Sequence, residues 1–327
     1  PYSGLLSSFS SDITSGVRDL TVNFIDQSFP KEGIEEWHWD FDNDGVIDSY
    51  EQNPSHTFSE LGTYTVSLTV INEEGAETST ITNMITVLDT DNVQGKVQGV
   101  WKPENGVYTI TDHVFVTSGA KLEIMPGTII TFNLDKKMKV NGEIHANGIE
   151  SNPIVFTSDF LWNGISLENT DKDNQFSHCI FNKSTESAIK VSNSKVDIIS
   201  CILKNNSGRN AGAIDIVNSS TVGLYKCLIS NNKSNINSGA INIDASSLVM
   251  SNCILANNKG QNTGAIVGQN NSFINLINNT LANNSFSANS GAQLINIGAV
   301  INIQNCIFFG INDMLNLSGT TTTSYSS

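Results

Sequence analysis

The chain has 327 residues, with 17 basic and 32 acidic side chains and a formal net charge of −15. A hydrophobic content of 39% is enough to bury a core, which excludes wholesale disorder. The only arginines are Arg18 and Arg209, so nucleic acid is not an expected partner, because phosphate neutralisation needs clustered Lys and Arg. No apolar run reaches the roughly 18 residues that a membrane span requires. The opening Pro1-Tyr2-Ser3-Gly4 carries no signal-peptide pattern, and a mature or trimmed segment of a longer protein is expected.

Alternating apolar positions mark the first strands: Leu20 to Ile25, Ile34 to Phe41, Thr63 to Ile71 and Thr78 to Val87. In Tyr64-Thr65-Val66-Ser67-Leu68-Thr69-Val70 the period is two, which turns one face to a core and the other to water. Several short strands separated by turns predict a β-sandwich. Within this region lies Asp40-Phe41-Asp42-Asn43-Asp44-Gly45-Val46-Ile47-Asp48-Ser49-Tyr50-Glu51, which fits the twelve-residue calcium loop. Alternate carboxylates on a curled loop converge on one point, and Gly45 permits the sharp turn. The candidate Ca²⁺ ligands are Asp40, Asp42, Asp44, the Val46 carbonyl, Asp48 and a two-toothed Glu51. The flanks do not fit a helix–loop–helix hand, since Trp37 and Trp39 alternate as in a strand and Pro54 follows too soon. A solvated Asp-Gly turn is the other reading, and a bound ion would be structural.

The segment Trp39 to Gly45, then Asn53-Pro54-Ser55-His56-Thr57-Phe58, then Gly62 to Asn72 resembles the polycystic-kidney-disease (PKD) domain over residues 8–88. The resemblance implies an immunoglobulin-like sandwich acting as an accessory module in extracellular proteins, with His56 a packing residue.

Charge changes sharply after this region. Residues 1–90 hold 16 acids and 2 bases, whereas residues 91–327 hold 16 acids and 15 bases. A boundary is placed at residue 90, with a second domain over 91–318 and a linker or truncated tail over 319–327. From Gly106-Val107-Tyr108 through Leu122 to Phe132, Val140 to Gly148 and Trp162 to Leu167, short β runs succeed one another.

Four Asn-Asn pairs, at 205–206, 231–232, 257–258 and 283–284, then recur every 26 residues. Each follows a Cys-Ile-Leu-like run, and Gly-Ala-Ile or a variant comes after. One period holds about three β runs without helical periodicity, which predicts a parallel β-helix with one coil per repeat. Coils about 4.8 Å apart would stack like residues in columns. Cys179, Cys201, Cys227, Cys253 and Cys306 are expected to form an inward column, with Thr280 substituting once. An odd cysteine count without CxxC argues against a disulfide framework or zinc, and these are read as buried thiols. The Asn pairs are expected at turns, where Asn tolerates the left-handed conformation and stacked amides bond to one another. Gly-Ala-Ile would put a small residue at a tight corner.

The succession over 95–318 resembles secreted bacterial right-handed parallel β-helix proteins of the pectate-lyase-like superfamily, with later repeats similar to those of bacterial surface proteins. The repeat departs from the latter in having Gly-Ala-Ile where they carry Gly-Gly-Ala-Ile. The resemblance implies an extracellular or cell-surface bacterial location and allows a polysaccharide lyase or glycoside hydrolase. A hydrolase needs paired carboxylates, and a lyase needs a base. From Asn205 onward the acids are Asp215, Asp244 and Asp313 and the bases Arg209, Lys226, Lys233 and Lys259. The candidate catalytic residues are therefore Arg209, Asp215 and Asp244. Trp101 and Trp162 are expected to pack rather than stack on sugar. The preferred expectation is an all-β, monomeric, secreted or cell-surface, non-catalytic scaffold for adhesion or glycan binding, with a polysaccharide or cell-surface glycan as partner.

Overall fold

The computed structural model describes residues 4–287, 292–310 and 314–324. The chain is almost wholly β and forms two compact units. One ends at Thr90 and takes in Lys96–Gly99; the other holds Asp91–Gly95 and the chain from Val100 on.

The first unit is a β-sandwich. Phe9–Ser11, Leu20–Asp26 and Ser55–Phe58 form an antiparallel three-stranded sheet, and Ser15–Val17, Gly75–Leu88, Gly62–Asn72 and Glu36–Asp40 form a mixed four-stranded one. Along Leu20–Asp26 buried and exposed residues alternate without a break, so Leu20, Val22 and Phe24 enter the core while Thr21 and Asn23 meet water. Trp39 is fully buried against Phe9 and Phe24, with ring centroids 5.1 and 5.4 Å away. His56 packs at 4.4 Å on the Phe41 ring.

The second unit is a parallel β-solenoid of about eight turns. Each coil lays down three strands, and each strand pairs in parallel with its counterpart one coil on. The first ladder runs through Cys179–Asn182, Ile202–Lys204, Leu228–Ser230 and Ile254–Ala256. The second runs through Ile165–Glu168, Ile189–Ser192, Ile214–Val217 and Ile241–Asp244. The third runs through Asn174–Ser177, Lys195–Ile199, Thr221–Tyr225 and Ser247–Ser251. A short fourth ladder, Ser207–Gly208, Lys233–Ser234, Lys259–Gly260 and Ser285–Phe286, follows each first-ladder strand.

Three of the corners share one construction: a residue with positive φ, then a buried side chain that caps the coil beside it. At the Asn-Asn corners Asn205, Asn231, Asn257 and Asn283 take φ of 55 to 58°. The second Asn of each pair is buried, and its Oδ1 accepts the backbone N–H of the preceding one, at 3.0 Å for Asn206 to Asn232 and Asn232 to Asn258. Before the first ladder the capping column is cysteine: the Cys179 N–H donates to Cys201 Sγ and the Cys227 N–H to Cys253 Sγ, each at 3.3 Å. All five thiols are free and buried. The residue that interrupts this column is Asn279, not Thr280: Cys253 N–H donates to Asn279 Oδ1 at 2.8 Å, and Asn279 N–H to Cys306 Sγ at 3.4 Å. Asn279 matches the geometry of the cysteine and adds an Nδ2 bond to the Met250 carbonyl.

A third column, Ser194, Ser220, Ser246 and Ser272, closes the corners between second and third ladders by the same backbone-to-hydroxyl bonds. The Gly-Ala-Ile corner is tight as expected: a Cβ on Gly212 would strike the carbonyl oxygen of Gly239, and one on Gly239 that of Gly264.

The end of the chain corrects the expected tail. Met314–Ser324 is a strand that pairs in parallel with Ala292–Gln304, from Ala299 with Gly319 to Gln304 with Ser324. The β-branched run Thr320 to Thr323 suits a strand added to an open sheet edge. Residues 325–327 and Asp313 lie outside the described residues. Among the described residues no helix is long and apolar enough to cross a membrane.

Candidate functional site

Three places carry polar chemistry. The first is the acidic turn after Glu36–Asp40. Carboxylate oxygens of Asp40, Asp42 and Asp48 lie within 4.8 Å of one another. Calcium–oxygen bonds of about 2.4 Å place opposite ligands about 5 Å apart, so this spacing fits one ion. Asp44 is not in that group; its Oδ1 accepts the Val46 N–H at 2.7 Å. Glu51 is not in it either, and its carbonyl accepts the Trp39 Nε1–H at 2.9 Å. Of the six candidate ligands, Asp40, Asp42 and Asp48 are thus the ones brought together. Pairing with Ser67 fixes Asp40 at the end of a strand, and Asp48 folds back to accept the Phe41 N–H at 2.7 Å. Burial, then the nearby charge of Asp44, raises the Asp42 carboxyl above the usual range.

The second place is the outward face of the second ladder. Lys190, Asp215 and Asn242 occupy one row on successive coils. Asp215 is only 7% exposed and accepts the Asn242 Nδ2–H at 2.8 Å. Burial pushes its carboxyl up, partly offset by Asn242, Lys190 and Asn210. Asp244 is held by Gln269 Nε2 at 3.1 Å and Asn270 Nδ2 at 2.7 Å. Asp215 and Asp244 are close enough for the charge of one to act on the other. Arg209 is exposed on the loop before this ladder, its carbonyl accepting the Ile236 N–H, and it is not among the groups acting on Asp215.

The third place is a cleft of about 660 Å³ on the outer side of the first ladder, lined by Glu150, His178, Ile180, Ser200, Ile202 and Lys226 among others. His178, Ser200 and Lys226 are the positive-φ corner residues of three successive coils, which is why their side chains stand in a row. Ile180 and Ile202 are register partners and form its floor. The sequence offered a clue to this site: the residue after each cysteine is Ile180, Ile202, Leu228, Ile254 and Ile307, an outward aliphatic column. Trp101 and Trp162 are fully buried, stacked on Tyr108 and Phe132 at 4.7 and 4.2 Å.

Comparison with known families matches residues 10–87 to the PKD domain and residues 95–165 to the pectate-lyase like beta helix domain. No curated protein gives a match. Among solved structures, the PKD1 domain of Vibrio anguillarum Epp is 34% identical, over 26% of this chain and 95% of that one, with a TM-score of 0.22. The PKD1 domain of the Vibrio cholerae metalloprotease PrtV is 29% identical, over 25% and 95%, with a TM-score of 0.20. An alginate lyase from Paenibacillus sp. str. FPU-7 is 12% identical, over 65% and 94%, with a TM-score of 0.20.

Proposed function

We propose that this chain, which joins a PKD domain to a pectate-lyase-like β-helix, is an extracellular bacterial glycan-binding scaffold without catalytic activity. Both domain types are typical of extracellular bacterial proteins. One observation carries the reading: Asp215 and Asp244 lie on a different ladder from the open cleft, where Glu150 is the acid among the lining residues. The cleft has an aliphatic floor and a rim of Ser200, His178 and Lys226, the mixture that packs against sugar rings while bonding their hydroxyls. Asp215 and Asp244 spend their oxygens on Asn242, Gln269 and Asn270, whereas glycoside hydrolysis needs two carboxyls flanking an accessible bond. A glycan array probed with the full chain tests the reading; absence of binding to any glycan ends it.

A polysaccharide lyase is the second reading, favoured by His178 and Lys226 bordering one cleft, a candidate base beside a cation. Incubation with polyuronates, followed by ultraviolet absorbance of unsaturated products, decides between them. Turnover lost in His178→Ala, Asp215→Ala or Arg209→Ala would replace the scaffold reading with an enzyme. The acidic turn is proposed as a structural Ca²⁺ site of the PKD domain, formed by Asp40, Asp42 and Asp48.

A further inference from the structure

Four of the five buried thiols form an unbroken column. Cys179, Cys201, Cys227 and Cys253 stand at the start of successive first-ladder strands, and each sulfur is hydrogen-bonded to the next along the axis. Cys306 is set apart, because Asn279 takes the place between it and Cys253. Glycan binding makes no use of these thiols.

Coils rise by about 4.8 Å, and two metal–sulfur bonds of about 2.3 Å, the length found in zinc thiolates, span about 4.6 Å when collinear. An ion that binds two thiolates in a line therefore matches the spacing of neighbouring coils. Soft thiolate ligands select soft ions such as Cu(I). Structural zinc needs four ligands. Among the described residues, the one place where three Cys, His, Asp or Glu ligand atoms gather is the acidic turn, so the column offers ligands in pairs and not in fours. Each pair also keeps a backbone donor: the Cys179 N–H points at Cys201 Sγ and the Cys227 N–H at Cys253 Sγ, both at 3.3 Å, which stabilises a thiolate formed there. Cys179 lines the cleft, so one end of the column adjoins solvent. An alkylating reagent must find room beside the sulfur, whereas a bare ion takes the place of protons.

We propose that the thiol column binds a soft monovalent metal ion of the Cu(I) class, held linearly between Cys179 and Cys201 and again between Cys227 and Cys253. Each ion displaces two thiol protons to solvent: two S–H bonds break, two sulfur–metal bonds form, and no electron is transferred. The bond with Cys201 and burial hold the Cys227 proton to high pH, so uptake strengthens as pH rises.

The test uses the reduced full chain and Cu(I), supplied under nitrogen as its acetonitrile complex. After gel filtration the chain should retain two copper ions, and X-ray absorption should report two sulfur neighbours per copper. The unfolding temperature should rise by about 5 °C or more with free Cu(I) about a hundredfold above Kd. Serine is the substitution of choice, because the Ser220, Ser246 and Ser272 hydroxyls close neighbouring corners by the same bond from the backbone. Cys201→Ser should retain one ion, Cys201→Ser/Cys253→Ser none, and Cys306→Ser both, with circular dichroism establishing that each variant is folded. A folded wild-type chain that retains no copper overturns the proposal. So does a Cys306→Ser chain that loses as much copper as Cys201→Ser, which would mean that the thiols act independently. An unfolding temperature that falls with Cu(I) would mean that the unfolded chain is the binder, and three or more sulfur neighbours per copper would rule out the linear pair; both measurements are made on the wild-type chain and need no variant to fold.

Discussion

Asn232 Oδ1 accepts two bonds from Asn206, from its backbone N–H and from its Nδ2, both at 3.0 Å. Its own Nδ2 donates to the Leu203 carbonyl and to Asn258 Oδ1, both at 2.9 Å. One buried amide therefore ties its coil to both neighbours, to Asn206 and Leu203 on one side and to Asn258 on the other. Asn232→Ala leaves several buried groups unsatisfied, each costing about 1–3 kcal/mol. The solenoid should lose about 3–5 kcal/mol in urea unfolding. Asn231→Gly is the contrasting substitution: Asn231 is exposed at φ 56°, where glycine fits without strain. Its effect should stay within about 1 kcal/mol. Equal losses for the two would show that the amide column does not hold the coils.

Much of this column is legible because Asn-Asn recurs at a constant interval, and three β runs per period without helical periodicity make that interval one coil of a parallel β-helix. The division of labour inside each pair was not legible, since two identical residues give no hint which one takes the left-handed conformation. The serine column is masked in the sequence because Ser194, Ser220, Ser246 and Ser272 sit among many other serines, although they too are 26 residues apart. Counting from the Asn-Asn pair points to Thr280 for the cysteine column, but the side chain that bonds is that of Asn279. In the acidic turn the spacing of a calcium loop identified Asp40, Asp42 and Asp48 as neighbours. Asp44 and Glu51 do not join that group, because the turn leaves a strand and its carboxylates also cap its own backbone. Scarcity of charge singles out Asp215 in the sequence but cannot reveal that Asn242 closes over it.

The thiol column gives a chemical prediction. The bond with Cys201, together with burial, pushes the Cys227 thiol up to about 12. Burial also drives Cys201 well above its ordinary value. Thiolate is the reactive form, so iodoacetamide at pH 8 should modify none of the five cysteines in the native chain and all five in guanidinium. Rapid labelling of Cys227 in the folded protein, read by mass spectrometry, would show that the column is open.

Asp215 sets a pH dependence of known sign. Burial raises its carboxyl in the folded chain, so the native state holds the proton to higher pH than the unfolded state. Stability contributed at this position is therefore lost as pH rises through the folded value and regained as pH falls towards about 3.9, the unfolded one. Asp215→Asn keeps an oxygen for Asn242 and removes the charge. It should raise the melting temperature at pH 7, and the gain should shrink steadily as pH approaches 4. A variant less stable than the parent at pH 7 would mean that the ionised carboxylate is itself a required partner, with Lys190 the nearest candidate.

The acidic turn makes the final prediction, and the geometry chooses the substitutions. Asp40, Asp42 and Asp48 converge, and two of them also hold the backbone: Asp40 accepts the Gly45 N–H at 2.9 Å and Asp48 the Phe41 N–H at 2.7 Å. Asp42 is the member that can be altered with least harm to the turn, since its one backbone bond, from the Asp44 N–H, is long at 3.2 Å and shared with Asp40. Calorimetry on the full chain should show Ca²⁺ uptake that Asp42→Asn removes. Asp44→Asn, which keeps an oxygen for Val46, should retain most of it. Bound calcium would relieve the repulsion that Asp44 and Asp48 exert on Asp42 and raise the unfolding temperature of the domain in proportion to the logarithm of free calcium. If the wild-type chain takes up no calcium, the turn is a solvated Asp-Gly turn; if Asp44→Asn abolishes uptake as fully as Asp42→Asn, the ligand set drawn from the sequence is the correct one.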